Sequence, residues 1–216
     1  MPDPISWSFA WPYLLGAFGA GYLAGSIPFG LILTLHADKG DIRKIGSGNI
    51  GATNVLRTGS KGLALATLIL DSGKGAAVLL IGHWTYGPDI GVAAGVGALF
   101  GHLFPIWLRF NGGKGVATAI GLLLAGNWPV GTAACLIWLL VAIMFRYSSV
   151  SALAAMIVAP VCAKVLGWAD APLLSSPIAY HQMAEFTALI AVLIWFRHAA
   201  NIRRLLTHEE PKIGET

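Results

Sequence analysis

The sequence predicts an all-α integral membrane protein with seven transmembrane helices, the N-terminus outside and the C-terminus in the cytoplasm. Of its 216 residues 56% are hydrophobic and only 11% are charged, and the mean hydropathy is +0.71. An ordinary soluble domain is about 25% charged, and a chain this short has too little interior to hide so much apolar surface from water. A disordered chain and a soluble nucleic-acid-binding protein are therefore excluded, although the net charge is +4.

Seven apolar segments approach the roughly 20 residues that a helix needs to cross a bilayer. They are Tyr13–Leu35, Leu63–Gly82, Ile90–Trp107, Val116–Trp128, Val130–Phe145, Val150–Gly167 and Gln182–Phe196. The fourth is short and interrupted by glycine, so a half-helix that turns back is the alternative to a crossing. Because no low-complexity segment or second domain is apparent, we expect a single transmembrane domain over residues 1–216.

The distribution of basic residues favours seven crossings. With seven, twelve of the fourteen lysines and arginines fall in four segments on one side of the membrane. These segments are 36–62, 108–115, 146–149 and 197–216. The loops on the other side contain Asp3, Asp89 and Asp170 and no basic residue. By the positive-inside rule the basic side faces the cytoplasm.

The polar segment over residues 41–57 has the composition of a phosphate-binding loop. Gly46, Gly48 and Gly51 permit backbone conformations in which successive N–H groups face one anion. Arg57 offers a bidentate guanidinium group. Short neutral side chains add further hydrogen-bonding groups: Ser47, Asn49, Thr53 and Asn54. We interpret the segment as a phosphate site, and a flexible linker with incidental glycine and asparagine is the alternative.

A second polar segment, NGGKGVAT at 111–118, is a glycine turn that leads directly into a predicted helix. The N–H groups of Gly112, Gly113 and Gly115 converge there with Lys114 and a helix N-terminus, an arrangement that binds phosphate. A Walker A loop would need Ser or Thr after the lysine, and Gly115 takes that place. The sequence therefore predicts a phosphate site without the Mg²⁺ ligand of an NTPase.

Two further polar pairs lie on predicted helices. His198 and Asn201 share a helix face where the last helix leaves the bilayer. Asp71 and Lys74 lie about 15–20 Å into the second helix and can pair with each other. Charges at such depth either line a site or neutralise one another, and we leave both interpretations open. The other histidines, including His102, are expected to be structural.

Arg57, Lys114 and His198 come from three separate segments at one membrane face. We therefore expect a pocket for more than one phosphate group. The sequence contains no nucleophile elbow and no Cys/His metal spacing. The chemistry predicted is positioning and charge stabilisation, with no metal and no cofactor.

The sequence resembles the bacterial acyl-phosphate:glycerol-3-phosphate acyltransferases over nearly its whole length. The resemblance rests on a series of motifs that occur in order with membrane spans between them. These are GSIPFG at 25–30, DIR at 41–43, SGNIGATNVLR at 47–57, DSGKG at 71–75, GH at 101–102, GGKGVAT at 112–118 and RHAANIRRL at 197–205. One local departure is the tail Leu206-Thr-His-Glu209, where the family would have a glycine just before the glutamate.

The resemblance implies transfer of a fatty acyl group from acyl-phosphate to the 1-hydroxyl of sn-glycerol 3-phosphate, in the lipid bilayer of a bacterial inner membrane. The products would be lysophosphatidic acid and phosphate, for phospholipid biosynthesis, and neither acyl-CoA nor acyl carrier protein would be the donor. The catalytic residues implied are Ser47, Arg57, Lys114, His198 and Asn201. The substrate-binding residues implied are Gly48, Asn49, Thr53, Asn54, Gly112, Gly113, Gly115, Asp71 and Lys74.

Three questions stay open at this point. The attacking hydroxyl loses a proton either to a substrate phosphate oxygen, which we hypothesise, or to His198 as a general base. His36 and Asp41 also fit the His-x₄-Asp signature of acyltransferases that use thioester donors, which we interpret as a coincidence. An anion transporter or channel is the alternative to an enzyme, and the confinement of the polar groups to one face argues against it.

Overall fold

The computed structural model describes residues 7–169 and 176–214, and this part of the chain is helical with no strand, as predicted. The α-helices are α1 (Trp7–Gly25), α2 (Phe29–His36), α3 (Ala52–Leu56), α4 (Lys61–Tyr86), α5 (Pro88–Leu103), α6 (Val116–Gly126), α7 (Trp128–Phe145), α8 (Ser148–Trp168), α9 (Tyr180–Arg197) and α10 (Ala199–Leu206). Short 3₁₀ turns occupy Ile42–Lys44 and Ile106–Leu108. Asp3 and Asp170, two of the acidic residues used for the topology, lie outside the described residues.

The first predicted span consists of two helices, so the prediction of one continuous helix over Tyr13–Leu35 is wrong. α1 ends at Gly25, and α2 begins directly after Pro28. Proline has no backbone N–H for the helical hydrogen bond, and its ring clashes with the preceding turn of a helix. The two helices together are still long and apolar enough to cross a membrane.

The remaining predicted spans are helices at the predicted places, with ends that differ by a few residues. Within residues 7–169 and 176–214, five segments are long and apolar enough to cross a membrane, and α9 with α10, which meet at an angle of 59°, would make a sixth. α6 has only 11 residues, about 16 Å, so the fourth segment is short as predicted. It ends before Trp128 because Asn127 caps α7, its side chain accepting from the N–H of Val130 at 3.4 Å.

α1 and α5 pack with their backbones in contact at small residues spaced four apart, as is common between helices in membranes. A Cβ on Gly21 would overlap the carbonyl oxygen of Ala94, and a Cβ on Gly25 would overlap that of Ala98. Both pairs advance in the same direction along the chain, so the two helices run parallel. The N-termini of α1 and α5 therefore lie at the same end of the bundle.

The apolar core lies among α4 to α9. Its fully buried side chains include Leu79, Leu99, Leu122, Leu123, Met156 and Ile190. Large apolar side chains on the outside of the bundle are exposed, among them Ile81, Ile143 and Val192. Such a surface suits contact with lipid, since a soluble protein rarely exposes large contiguous apolar patches.

Candidate active site

A cavity of about 780 Å³ opens at the end of the bundle where α5 terminates and α4 and α6 begin. All four segments predicted to lie on the basic side contribute to its wall: Arg57, Lys114, Ser149 and Asn201 each come from a different one. The five residues predicted to be catalytic line this cavity together. They are Ser47, Arg57, Lys114, His198 and Asn201.

The predicted substrate-binding residues divide into two groups. Those that line the cavity are Asn49, Thr53, Asn54, Gly115 and Asp71. Those that do not are Gly48, Gly112, Gly113 and Lys74. The structure therefore brings most of the predicted site residues together at one cavity, and four of them do not line it.

Asn54 holds the first loop together from its centre. Its side chain is buried, and its Nδ2 donates to three backbone carbonyl oxygens of the loop at 2.8–3.0 Å. Its Oδ1 accepts from the backbone N–H of Ser47 at 3.2 Å and from Nη1 of Arg57 at 3.3 Å. These bonds use both the nitrogen and the oxygen of the amide group. Asn54 therefore stabilises the conformation of the loop and holds Ser47 and Arg57 at the cavity wall.

Lys114 lies in the loop before α6, in a partly buried position at the cavity wall. Within residues 7–169 and 176–214, no carboxylate oxygen lies within 4.0 Å of its Nζ. Burial lowers the pKa of Lys114 to about 8, because its ammonium group loses contact with water, and the charge of Glu210 opposes this in part. A buried cation without a partner is costly, and a bound anion would offset that cost.

The floor of the cavity is a buried charged cluster on α4 and α5. The Oδ1 of Asp71 accepts from Nζ of Lys74 at 2.7 Å, and Lys74 also donates to the carbonyl oxygen of Ile27 at 2.8 Å. Asp71 lines the cavity and Lys74 does not. Asp71 therefore forms part of the floor, and its negative charge is neutralised by the positive charge of Lys74. The ion pair that the i,i+3 spacing allows is therefore present.

His102 was expected to be structural, but it lines the cavity beside Asp71. Its Nδ1 lies 3.6 Å from Oδ1 of Asp71. Sequence reasoning missed this neighbour because α4 and α5 bring the two residues together from positions far apart along the chain. The GH motif at 101–102 marks His102 in the sequence but does not indicate its contact with Asp71.

Glu210 is a second residue that the sequence reasoning missed. Its carboxylate lines the cavity and accepts from Oγ of Ser149 at 2.7 Å, from Nδ2 of Asn201 at 2.6 Å and from Nε of Arg204 at 2.7 Å. Burial alone would raise the pKa of Glu210, but these three hydrogen bonds and the charge of Arg204 lower it overall. The carboxylate therefore stays ionised at neutral pH and neutralises Arg204.

The glutamate that the family comparison singled out, Glu209, is exposed and bonds to the hydroxyl of Thr207. His208 has a positive φ of 59°, a conformation that favours glycine. Of the two adjacent glutamates, Glu210 is the one that lines the cavity.

His198 and Asn201 offer hydrogen-bond acceptors at the cavity wall. The Nδ1 of His198 donates to the carbonyl oxygen of Ile194 at 2.7 Å, so in the neutral ring Nε2 carries the lone pair. The Nδ2 of Asn201 is used by Glu210, while its Oδ1 is buried with no partner among the described residues. Such acceptors suit a substrate hydroxyl.

One wall of the cavity is apolar. Its side chains come from α4, α6 and α7: Leu65, Leu68, Val116, Ile120 and Trp138. Leu65 is 57% exposed and Leu68 is 40% exposed, so the wall continues onto the outer surface of the bundle. A ligand with an apolar chain could keep that chain against this wall and its charged end beside Lys114.

Residues 15–208 match the family described as glycerol-3-phosphate acyltransferase. The chain belongs to this family. Relatives in Nitrobacter winogradskyi and Sinorhizobium fredii, both glycerol-3-phosphate acyltransferases, are 53% and 51% identical over 203 and 213 residues. These alignments cover 94% and 99% of this chain and 97% and 98% of the relatives.

Solved structures of a family member agree with the fold. The crystal structure of PlsY (YgiH), an integral membrane glycerol 3-phosphate acyltransferase, in its glycerol 3-phosphate form has a TM-score of 0.80 at 35% identity and covers 93% of this chain and 96% of that chain. The lysophosphatidic acid form has a TM-score of 0.79 at 34% identity and covers 93% and 95%. The resemblance inferred from the motifs is confirmed: this is an integral membrane enzyme of glycerol-3-phosphate acylation.

The two alternative interpretations lose their basis. Family membership favours the acyltransferase over the anion transporter. The structure gives no support to the His-x₄-Asp match: Nδ1 of His36 donates to the carbonyl oxygen of Ile32 at 2.9 Å, Asp41 pairs with Arg43 at 2.7 Å, and neither residue lines the cavity.

The pKa of Lys114 predicts an alkaline limit to activity. As the pH rises through about 8, the ammonium group loses its proton and with it the attraction for a phosphate group. We expect kcat/KM for glycerol 3-phosphate, which reports ionisations of the free enzyme, to fall above that pH. Initial rates of product formation from about pH 6 to about pH 10 would measure it.

Lys114→Arg is the control, because a guanidinium group keeps its proton throughout this range. The falling limb should disappear or move to higher pH, even if the rate at neutral pH is lower. An unchanged limb near pH 8 in this variant would assign the ionisation to another group.

Proposed function

We propose that the protein transfers a fatty acyl group from acyl-phosphate to the 1-hydroxyl of sn-glycerol 3-phosphate and releases 1-acyl-glycerol 3-phosphate and inorganic phosphate in phospholipid biosynthesis. The observation that carries this proposal is a single cavity whose wall holds Arg57, Lys114 and an apolar face. Both substrates carry a phosphate group, and the donor also carries an apolar chain. The glycerol 3-phosphate and lysophosphatidic acid forms of PlsY support the acceptor and the product.

Arg57 and Lys114 each bind one of the two phosphate head groups. Arg57, with the hydroxyl groups of Ser47 and Thr53, binds one phosphoryl group, and Asn54 holds that loop in shape. Lys114 binds the other, together with the backbone N–H groups at the N-terminus of α6, where a helix attracts anions. Gly112 and Gly113 do not line the cavity, and in this proposal they contribute the shape of the turn.

The reaction needs little covalent help from the protein. The hydroxyl oxygen of glycerol 3-phosphate attacks the acyl carbonyl carbon, the bond from that carbon to the phosphate oxygen breaks, and phosphate leaves with the electron pair. Oδ1 of Asn201 and Nε2 of His198 orient the hydroxyl, and cationic donors stabilise the charge that develops. A phosphate oxygen of the donor accepts the hydroxyl proton. The proposal uses no metal and no cofactor.

We further propose seven crossings, with the N-terminus outside and the cavity facing the cytoplasm. The cavity draws residues from all four basic segments, which supports placing them on one side. α1 and α5 begin at the opposite end, where Asp89 accepts from Gln182 at 2.6 Å. Because bacterial outer-membrane proteins are typically β-barrels and this chain is helical, the inner membrane is the proposed location. One domain over residues 1–216 accounts for these features.

The short α6 is compatible with a crossing because its first residues are recessed. α7 has 18 residues and α6 has 11, and the two helices meet at Asn127. The seven-residue difference places the start of α6 about 10 Å deeper than the end of α7. The turn that carries Lys114 would then complete the crossing, and its depth would explain the burial of Lys114.

Product analysis with purified protein tests the donor. Offered glycerol 3-phosphate with palmitoyl-phosphate, palmitoyl-CoA or palmitoyl-acyl carrier protein in parallel, the enzyme should form lysophosphatidic acid and equimolar phosphate from palmitoyl-phosphate alone. Arg57→Gln, prepared in the same way, is the control for a contaminating acyltransferase. Lysophosphatidic acid formed from palmitoyl-CoA at a comparable rate would refute the proposal.

The proton acceptor is tested with His198→Gln, since glutamine can hydrogen-bond but cannot act as a base. A general base typically contributes about 10²–10⁴-fold, so substrate-assisted transfer predicts a loss of kcat below about 100-fold.

His208→Gln, the same change at an exposed histidine of the tail, should leave kcat unaltered. Loss of nearly all turnover in His198→Gln, with glycerol 3-phosphate binding unchanged, would identify His198 as the base and exclude the substrate phosphate.

A further inference from the structure

Arg197, the last residue of α9, hydrogen-bonds to the turn that carries Lys114. Arg197 itself does not line the cavity. Its Nη2 donates to the carbonyl oxygen of Gly112 at 3.0 Å, and its Nε donates to that of Gly113 at 3.2 Å. The guanidinium group lies over the ring of Phe104, 5.3 Å from the centroid. One planar fork therefore holds two successive carbonyl groups and is itself fixed by an aromatic face.

α5 holds the same turn from a second direction. The N–H of Gly113 donates to the carbonyl oxygen of His102 at 3.0 Å. A Cβ at position 113 would overlap the imidazole ring of His102, so only glycine allows this close packing. Lys114 directly follows Gly112 and Gly113, and Gly115, with a φ of +84°, leads into α6. The position of the ammonium group therefore depends on α5 and α9.

The contact also joins the two halves of the proposed site. Arg197 directly precedes His198, at the 59° bend between α9 and α10, and Asn201 lies on the first turn of α10. The stretch of chain that presents the groups for the hydroxyl thus carries the residue that fixes the Lys114 turn. A change in the angle of this bend would alter the distance between Lys114 and the pair His198 and Asn201.

We propose that Arg197 is a positioning residue that sets Lys114 relative to His198 and Asn201 through its hydrogen bonds to the glycine turn. The proposal rests on the proposed role of Lys114 in binding a substrate phosphate. Lysine at position 197 would keep the charge but has no fork to hold two successive carbonyl groups. The turn would loosen, and a misplacement of reacting groups by about 1 Å can cost about 100-fold in rate.

Arg197→Lys in the purified full-length enzyme is the first test. We expect kcat to fall by about 30- to 100-fold while KM for glycerol 3-phosphate changes by less than about threefold. The melting temperature should stay within about 3 °C of the original protein. Arg203→Lys is the matched control, because it makes the same change at an exposed arginine of α10 and should keep the original kcat.

A double-mutant cycle with Lys114→Arg, which keeps the charge at position 114, tests whether Arg197 acts through Lys114. If it does, Arg197→Lys should cost less than about threefold in the Lys114→Arg background, because coupled residues are not additive. The same factor in both backgrounds would overturn the proposal. A kcat in Arg197→Lys equal to that of the original protein would also overturn it. So would a loss of kcat that a lower melting temperature and a smaller active fraction explain.

Failure of the underlying function would look different. If Lys114 does not bind a substrate phosphate, Lys114→Gln would keep the original kcat/KM, whatever Arg197→Lys does. A reduced kcat/KM in Lys114→Gln together with additive effects in the cycle would keep the phosphate site and remove only the role of Arg197.

Discussion

The arrangement of the cavity depends on one positively charged group at the end of the helix bundle. This group is held partly out of water, and among the described residues no carboxylate oxygen lies within 4.0 Å of it. Lys114 is that group, and several local features serve to place it. α6 is shortened, the glycine turn packs on His102, and Arg197 fixes the carbonyl groups of the turn. Such an arrangement costs free energy in the empty enzyme, and in the proposed function a bound phosphate group offsets that cost.

The charge balance around the cavity indicates what kind of ligand fits. Glu210 neutralises Arg204, and Asp71 neutralises Lys74. Arg57 and Lys114 are left without a carboxylate within 4.0 Å, as far as residues 7–169 and 176–214 are concerned. Two cations without acidic partners, from distant segments of the chain, match two phosphate groups better than one. The apolar wall beside them matches an acyl chain, so the cavity combines the features of both proposed substrates.

Much of this arrangement could be predicted from sequence, because the patterns involved are local. The lengths of the apolar segments predicted the helices, and the spacing of Asp71 and Lys74 allowed them to pair. The glycine turns next to Arg57 and Lys114 indicated anion sites. What could not be predicted depends on contacts between distant segments. Asn54 looked like a phosphate ligand, but its amide is used within the loop. Glu209 and Glu210 are neighbours of the same type, and only the fold shows which one faces the cavity.

The central claim is that one cavity binds both head groups at the same time. A crystal structure with glycerol 3-phosphate and a non-hydrolysable acyl-phosphonate, soaked together, tests it most directly. We expect both anionic groups in the cavity, one within about 3 Å of Arg57 and the other within about 3 Å of Lys114, the length of a charge-assisted hydrogen bond. If one ligand displaces the other, or if the second anion lies outside the cavity, the account is contradicted.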